Sequence, residues 1–381
     1  MVKRIVWAVL LVMSILLVWV GLAQQPATPV HQTTKHLAQG QASQMPLYTE
    51  KRLRINLARY PQLRAGIQRM IPMPGLQGAW ALAKNKSATA SHRLIKTVAF
   101  DPQGITTSQN EIFVSAYDHN NKANSVIYVL NKWTGQYIKT LSLQFQDHAG
   151  GVAYDPDRQM LWVTGHDGKD SMLYGITQAQ IDQYDIRSRL PISYQQVFQI
   201  TTETNNSTMM YANNALWVGY FTKRGLGNIQ ELPFGKDASG NLTLGQSAGE
   251  QDESIVAATK VYVSVGQLQG LTANQRHVLM TSSFGNVDGK LVRYDREAGD
   301  KFTKGVSVTM PPYLEAVSYD GDTNRFYMIF ESATPVYRVK TKAVVDRILY
   351  VDNDVFKTGV TPFTPLLQPE FMDLTRPKTI K

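Results

Sequence analysis

One short pattern recurs five times between residues 94 and 352, and it limits what this chain can fold into. Each copy carries a hydrophobic stretch that ends in small or polar residues. The copies read Ile112-Phe113-Val114-Ser115, Leu161-Trp162-Val163-Thr164, Leu216-Trp217-Val218-Gly219, Val278-Leu279-Met280-Thr281 and Phe326-Tyr327-Met328-Ile329. They start at 112, 161, 216, 278 and 326, at intervals of 49, 55, 62 and 48 residues. A further strand pattern follows each copy, at 125–130, 171–176, 228–232, 290–294 and 335–339. A short pattern precedes each copy, at 104–107, 151–154, 208–211, 270–273 and 316–319. A fourth closes each unit, at 137–143, 196–200, 260–265, 306–310 and 347–351.

Four strands in about 40–50 residues, repeated, is the signature of a propeller blade. The turns agree. Asn131-Lys132-Trp133-Thr134-Gly135 and Asp295-Arg296-Glu297-Ala298-Gly299 join third strands to fourth, and Tyr154-Asp155-Pro156-Asp157 and Tyr319-Asp320-Gly321-Asp322 join first strands to second. Asp, Asn, Pro and Gly are the residues that cap such corners. The sequence therefore predicts an all-β chain, a β-propeller of five four-stranded blades over 94–352. Residues 95–100 are expected to add the closing strand to the last blade. Gly75-Leu76-Gln77-Gly78-Ala79 resembles another inner strand, which keeps six blades open.

The rest of the chain divides by composition. Met1–Arg4 is basic, and residues 5–23 hold no charge, so 1–23 reads as a signal peptide or a membrane anchor. Lys3 and Arg4 place the N-terminus inside and the remainder outside, secreted or held on the outer face of the cytoplasmic membrane. Residues 24–45 read as a linker. Residues 46–93 read as a short basic helical segment, with Leu53, Leu57, Leu63, Ile67 and Met70 among arginines. Residues 353–381 form a tail with Pro362, Pro365, Pro369 and Pro377.

Charge follows this division. Residues 24–93 hold ten Lys or Arg and one acid, whereas 94–381 hold 27 bases and 29 acids. The formal +9 of the whole chain thus belongs to the segment before the propeller. Lys51, Arg52, Arg54, Arg59, Arg64 and Arg69 either bind an anionic envelope polymer or lipid surface, or form the solvated face of a helix packed on the propeller. Nucleic acid is not an expected partner, and the chain is expected to be a monomer. There is no cysteine, which excludes disulfides, zinc–thiolate sites and cysteine nucleophiles.

Aligning the repeats predicts one ring of residues just before the inner strands: Gln103, Gly150, Ser207, Gln269 and Glu315. Neighbouring loops on that face add His148, Asn206 and Tyr313. The loops after the second strands add Tyr117, Asp118, His119, His166, Asp167, Tyr220, Lys223, Arg224, Asn286, Asp288 and Glu331. Convergent polar groups in one concavity make the default ligand site. The candidate ligand-binding set is Gln103, Asp118, His148, His166, Ser207, Arg224, Gln269, Glu315 and Glu331. His148, Glu315 and Glu331 are the candidates for acid–base chemistry. Buried inner-strand amides also serve to satisfy backbone and channel water, and loop aspartates also serve turns. No cofactor is required; Ca²⁺ or Mg²⁺ in the channel stays open. The chain has no His-Glu-x-x-His, Gly-x-Ser-x-Gly, phosphate-binding glycine loop or EF-hand loop.

Asp101-Pro102-Gln103-Gly104-Ile105, Asn124-Ser125-Val126-Ile127-Tyr128-Val129-Leu130 and His148-Ala149-Gly150-Gly151-Val152-Ala153-Tyr154-Asp155 resemble secreted bacterial β-propellers of the streptogramin-lyase-like and NHL/YVTN repeat type. The resemblance covers about residues 95–350 and implies a fold. Streptogramin lyases have seven blades and use His and Glu with Mg²⁺ on the channel face. Five repeats depart from that pattern, so no catalytic residue is carried over. Plant-type glutaminyl cyclases have five blades, and Glu315 keeps that class open by analogy of fold. Three functions follow as expectations: a non-catalytic binding or scaffold propeller with its ligand at the channel mouth; a lyase, hydrolase or cyclotransferase using His148 with Glu315 or Glu331; and an envelope tether working through the basic segment.

Overall fold

Alternation along the strands decides the architecture. In the second strand of the second repeat (Met160–Asp167), Leu161 and Val163 face one way and Trp162 the other, and all three are fully buried. Leu161 and Val163 pack with Phe113 and Ile127 of the preceding repeat, while Trp162 packs with Leu216 and Val218 of the next. A sheet buried on both faces must be sandwiched between two others, so the repeats stack face to face.

The protein is a five-bladed β-propeller. The computed structural model describes residues 37–85, 89–201, 205–249, 252–297 and 301–363. Blade 1 is Phe100–Thr107, Glu111–Asp118, Val126–Asn131 and Tyr137–Ser142, in sheet order from the axis outward. Blade 2 is Val152–Asp155, Met160–Asp167, Asp170–Thr177 and Gln196–Ile200. Blade 3 is Asn206–Ala212, Ala215–Tyr220, Gly227–Lys236 and Lys260–Ser264. Blade 4 is Leu268–Ala273, His277–Ser282, Gly289–Glu297 and Lys301–Met310. Between neighbouring blades lie five buried apolar clusters, one per seam, and the seam of blades 5 and 1 is as full as the rest. The ring is therefore closed, with no gap for a sixth blade.

Closure differs from the sequence expectation. Blade 5 is built from Leu314–Tyr319, Arg325–Phe330 and Arg347–Asp352, and its outermost strand is Ile67–Pro72 from the N-terminal side of the chain. Ile71 pairs with Ile348 and Met70 with Leu349. The stretch 347–351, expected as the outer strand, is the third. The expected third strand, 335–339, is a run of turns. Tying both chain ends into one sheet removes the open edges that an unclosed blade would present. Leu94–Thr97 does not close the ring; it pairs with Ala79–Leu82 in a two-stranded ribbon, whose Ala79 and Ala81 fill the seam of blades 5 and 1. The Gly75–Ala79 stretch accordingly begins this ribbon rather than a blade.

The basic segment is part of the body. Helices α1 (Glu50–Asn56) and α2 (Pro61–Gly66) bury Leu53, Leu57, Tyr60 and Leu63 against blades 4 and 5. Thr49 caps α1. Lys51, Arg54, Arg59 and Arg64 remain exposed. Arg54 pairs with Glu50, Arg59 approaches Asp288 at 4.0 Å, and Arg69 donates to the Lys132 carbonyl. Upstream, the buried Asp346 carboxylate accepts from the backbone N–H groups of Leu47 and Tyr48 and lies 2.6 Å from Arg347. Past blade 5, Thr361–Pro362 adds to the outer strand of blade 4. The expected export segment at 1–23 and the tail beyond 363 lie outside the described residues. Among the described residues no helix is long and apolar enough to cross a membrane.

Candidate functional site

The predicted ring exists as a series of strand irregularities. The register of the inner strands slips between Pro102 and Gly104, Asn206 and Thr208, Leu268 and Gly270, and Leu314 and Ala316. The unpaired residue in each case is Gln103, Ser207, Gln269 or Glu315. A bulge frees a residue from the ladder and re-aims its side chain. Small residues beside the bulges let the blades converge. A Cβ on Gly104 would lie 2.5 Å from the Gly150 carbonyl oxygen, and one on Gly150 would lie 2.5 Å from that of Ser207. Hydroxyls stitch the ring together: Ser207 Oγ donates to the Leu268 carbonyl at 2.7 Å, and Thr281 Oγ1 to the Glu315 carbonyl at 3.2 Å.

Among the described residues, three buried acids of the ring gather in one sector, the seam between blades 5 and 1. Glu315 is the bulged residue of blade 5. Glu331 follows that blade's second strand and opens a single 3₁₀ turn, Glu331–Ala333. Asp101 and Gln103 come from the inner strand of blade 1. Gln103 Nε2 donates to Glu331 Oε1 at 2.5 Å and to the Pro102 carbonyl at 3.1 Å. His119 Nδ1 lies 2.8 Å from Asp101 Oδ2. All three acids are at least nine-tenths buried, and the Glu315 carboxylate has no hydrogen-bond partner among the described residues.

Electrostatics follow from that burial. Desolvation pushes the Glu331 carboxyl up to about 8, and the nearby Asp101 adds to the shift against the Gln103 hydrogen bond. Glu315 is raised well above its ordinary range by desolvation first, then by Glu331 and Asp101. Asp101 is also raised by burial, with Thr334 and His119 opposing. Thr334 Oγ1 and Asp101 Oδ1 nonetheless complete no hydrogen bond of standard geometry. His119 is the sole ionisable base among the groups acting on these three acids.

Aromatic rings frame the acids. Tyr313 and Tyr337 lie with centroids 4.8 Å apart, and His119 meets Tyr337 edge-on at 5.9 Å. Tyr117 reaches His119 Nδ1 at 3.3 Å, and the His148 ring covers Tyr117 with a centroid separation of 4.0 Å. Burial and the adjacent carboxylates push the Tyr117 and Tyr337 phenols up, so both stay neutral.

The other predicted residues are placed as follows. His148 sits on the rim with its side chain 59% exposed, and the imidazole beside a buried carboxylate is His119 instead. His166 bonds Asp147 through Nδ1. Burial opposes the Asp147 charge, but hydrogen bonds from His148 and His166 outweigh it and hold that carboxyl below its usual range. Asp118 is spent on its own loop, accepting from the N–H groups of Asn120, Lys122 and Ala123. Asp288 accepts from the Tyr60 hydroxyl at 2.6 Å. Ser207 serves the inter-blade bond, Gln269 is half-buried, and Arg224 stands on an exposed loop. Sequence reasoning missed Asp101 and Tyr337. Asp101 had a signal, as the lone acid in an otherwise uncharged inner strand. Tyr337 had none, because its segment mimics a strand. No group of three or more His, Asp or Glu side chains among the described residues is arranged to hold a metal ion.

No family model matches the chain. No curated protein matches it either. Among solved structures it is similar to hydrazine synthase of Kuenenia stuttgartiensis, at 11% identity and TM-score 0.30, covering 75% of this chain and 100% of that one. It is similar to a candidate oxidoreductase (glucose dehydrogenase) of Thermus thermophilus, at 12% identity and TM-score 0.41, covering 75% of this chain and 98% of that one. The Dos1 propeller is a third, at 9% identity and TM-score 0.30, covering 74% of this chain and 64% of that one.

Proposed function

We propose that this propeller is a non-catalytic binding protein whose ligand carries a positive charge and enters at the seam of blades 5 and 1. One observation carries the reading: Asp101, Glu315 and Glu331 are buried together with a single ionisable base, His119, to offset them. Buried carboxylates without compensation cost several kcal/mol, and a bound cation relieves that cost. The rings of Tyr313, Tyr117 and Tyr337 suit an organic ammonium group, which aromatic faces attract by about 0.5–2 kcal/mol each. The uncharged run at residues 5–23 supports a place outside the cytoplasmic membrane.

The enzymatic alternative keeps one support, the raised carboxyls, since a protonated Glu331 can act as an acid. In that reading His119 rather than the rim residue His148 is the base nearest a site carboxylate. The test separates binding by charge from binding by shape. Choline and its neutral carbon isostere 3,3-dimethylbutan-1-ol are titrated calorimetrically into the protein at pH 8. Choline is expected to bind at least tenfold tighter, a difference of about 1.4 kcal/mol. Glu315→Gln and Glu331→Gln are each expected to erase that preference. Equal affinity for the two compounds would refute the proposal.

A further inference from the structure

The channel has a second mouth. At the far ends of the inner strands the five blades flare around a cavity of about 950 Å³, on the face opposite the acid cluster. All five blades line it, through residues such as Thr106, Tyr154, Tyr211, Thr272 and Tyr319. Its volume falls in the range of sites that take drug-sized organic ligands, roughly 300–1,000 Å³.

The chemistry of the lining differs from that of the acid mouth. Its one buried cation, Lys132, is already neutralised, at 2.6 Å from Asp320 and 2.8 Å from Asp322. The remaining lining cation, Arg276, is on the exposed rim, and the formal charges of Lys132, Arg276, Asp320 and Asp322 sum to zero. Two of the three lining tyrosine hydroxyls are also committed, while that of Tyr319 is buried without a partner among the described residues. Tyr154 donates to Gln178 Oε1 at 3.1 Å, and Tyr211 donates to Asp157. Their rings are held in place by that anchoring and by packing: Tyr154 stacks on Phe113 at 5.8 Å, and Tyr211 lies against Phe234 at 6.2 Å. The inner-strand hydroxyls of Thr106 and Thr272 accept from the backbone N–H groups of Tyr154 and Tyr319 in the next blades, which fixes the wall. Uncommitted hydrogen-bonding groups sit at the rim: the Gln109 and Gln275 side-chain amides bond to nothing among the described residues. An amide offers two donors and an acceptor with no charge.

We infer that this mouth takes a neutral, polyhydroxylated ligand of the short-oligosaccharide class. Fixed aromatic faces meet the C–H faces of sugar rings, and uncharged amides meet their hydroxyls. A charged ligand would gain little here, because the formal charges of the lining already sum to zero. The site is independent of the cation mouth, and either can be true without the other.

The probes are three uncharged trisaccharides, maltotriose, cellotriose and N,N′,N″-triacetylchitotriose, titrated calorimetrically up to about 10 mM, which reads affinities down to the weakest useful range. At least one is expected to bind saturably. Ala273→Trp, which places a large ring in the cavity wall, is expected to abolish that binding while leaving choline binding at the opposite mouth unchanged. The double substitution Gln109→Ala with Gln275→Ala touches exposed rim residues alone and is expected to weaken binding at least tenfold, so the idea stays testable if the tryptophan variant misfolds. Absence of binding for all three sugars overturns the inference. So does sugar binding that survives both variants, or that inorganic phosphate displaces.

Discussion

Glu331 shows how one side chain sets the behaviour of the site. Its carboxyl holds a proton more tightly in the folded protein than in an unfolded chain, where the ordinary value is 4.5, and burial is the main reason. Between about 4.5 and about 8 the native state therefore binds more protons than the unfolded state. Stability must fall as pH rises through that window and level off above it. Glu315 shifts in the same direction for the same reason, and reinforces the slope. Urea unfolding at pH 5, 6, 7, 8 and 9 is expected to show this decline, on the order of a few kcal/mol overall. Glu331→Gln should flatten it, since a neutral amide meets the same Gln103 neighbourhood without a charge to bury. A stability that climbs from pH 5.5 to 8 in the wild-type protein would contradict this account. Asp147 carries the opposite sign: its hydrogen bonds from His148 and His166 contribute stability that is lost as pH falls below the ordinary aspartate range.

At the scale of elements, the strand Ile67–Pro72 carries the most. It completes blade 5, and Asp346 anchors the segment that leads into it. Asp346→Ala removes the acceptor for two backbone N–H groups and strands the buried Arg347 guanidinium. The expected cost is about 3–5 kcal/mol, read as a fall in the urea midpoint with little change in slope. A loss below about 1 kcal/mol, the scale of an exposed ion pair, would show that the N-terminal clamp is dispensable. The closing strand was hidden in the sequence for a physical reason. Ile-Gln-Arg-Met-Ile-Pro follows two short basic helices and carries the same mixture of arginine and apolar residues, so local pattern extends the helix. Its partner, not its propensity, makes it a strand. The opposite error occurred at 335–339, where Val336, Tyr337 and Val339 supply the β-branched and aromatic residues a strand would. No partner is left for them, because Arg347–Asp352 already occupies the third position. The inner-strand ring was legible because convergence at an axis demands small residues at a fixed offset, and Gly104, Gly151 and Gly270 mark it. Charge clustering was not legible, because Asp101 and Glu331 meet across 230 residues only when the ring closes.

The whole molecule is a closed ring with two unlike ends. The basic charge lies on α1, α2 and their flanks, on the outside of blades 4 and 5, while acids collect at one mouth of the channel and balanced charges with uncharged amides at the other. The fold builds the acid mouth at its own closure point, where residues from both halves of the chain meet. A cation bound there as proposed, bridging Glu315 and Glu331 of blade 5 to Asp101 of blade 1, would also brace the seam. The most direct test of the central claim is the number of protons released when choline binds at pH 7, measured by calorimetry in two buffers of different ionisation enthalpy. A cation held by carboxylates that are protonated when empty must displace protons, so the account predicts net release of a substantial fraction of a proton per choline bound. Binding with no proton release, or with uptake, would contradict it.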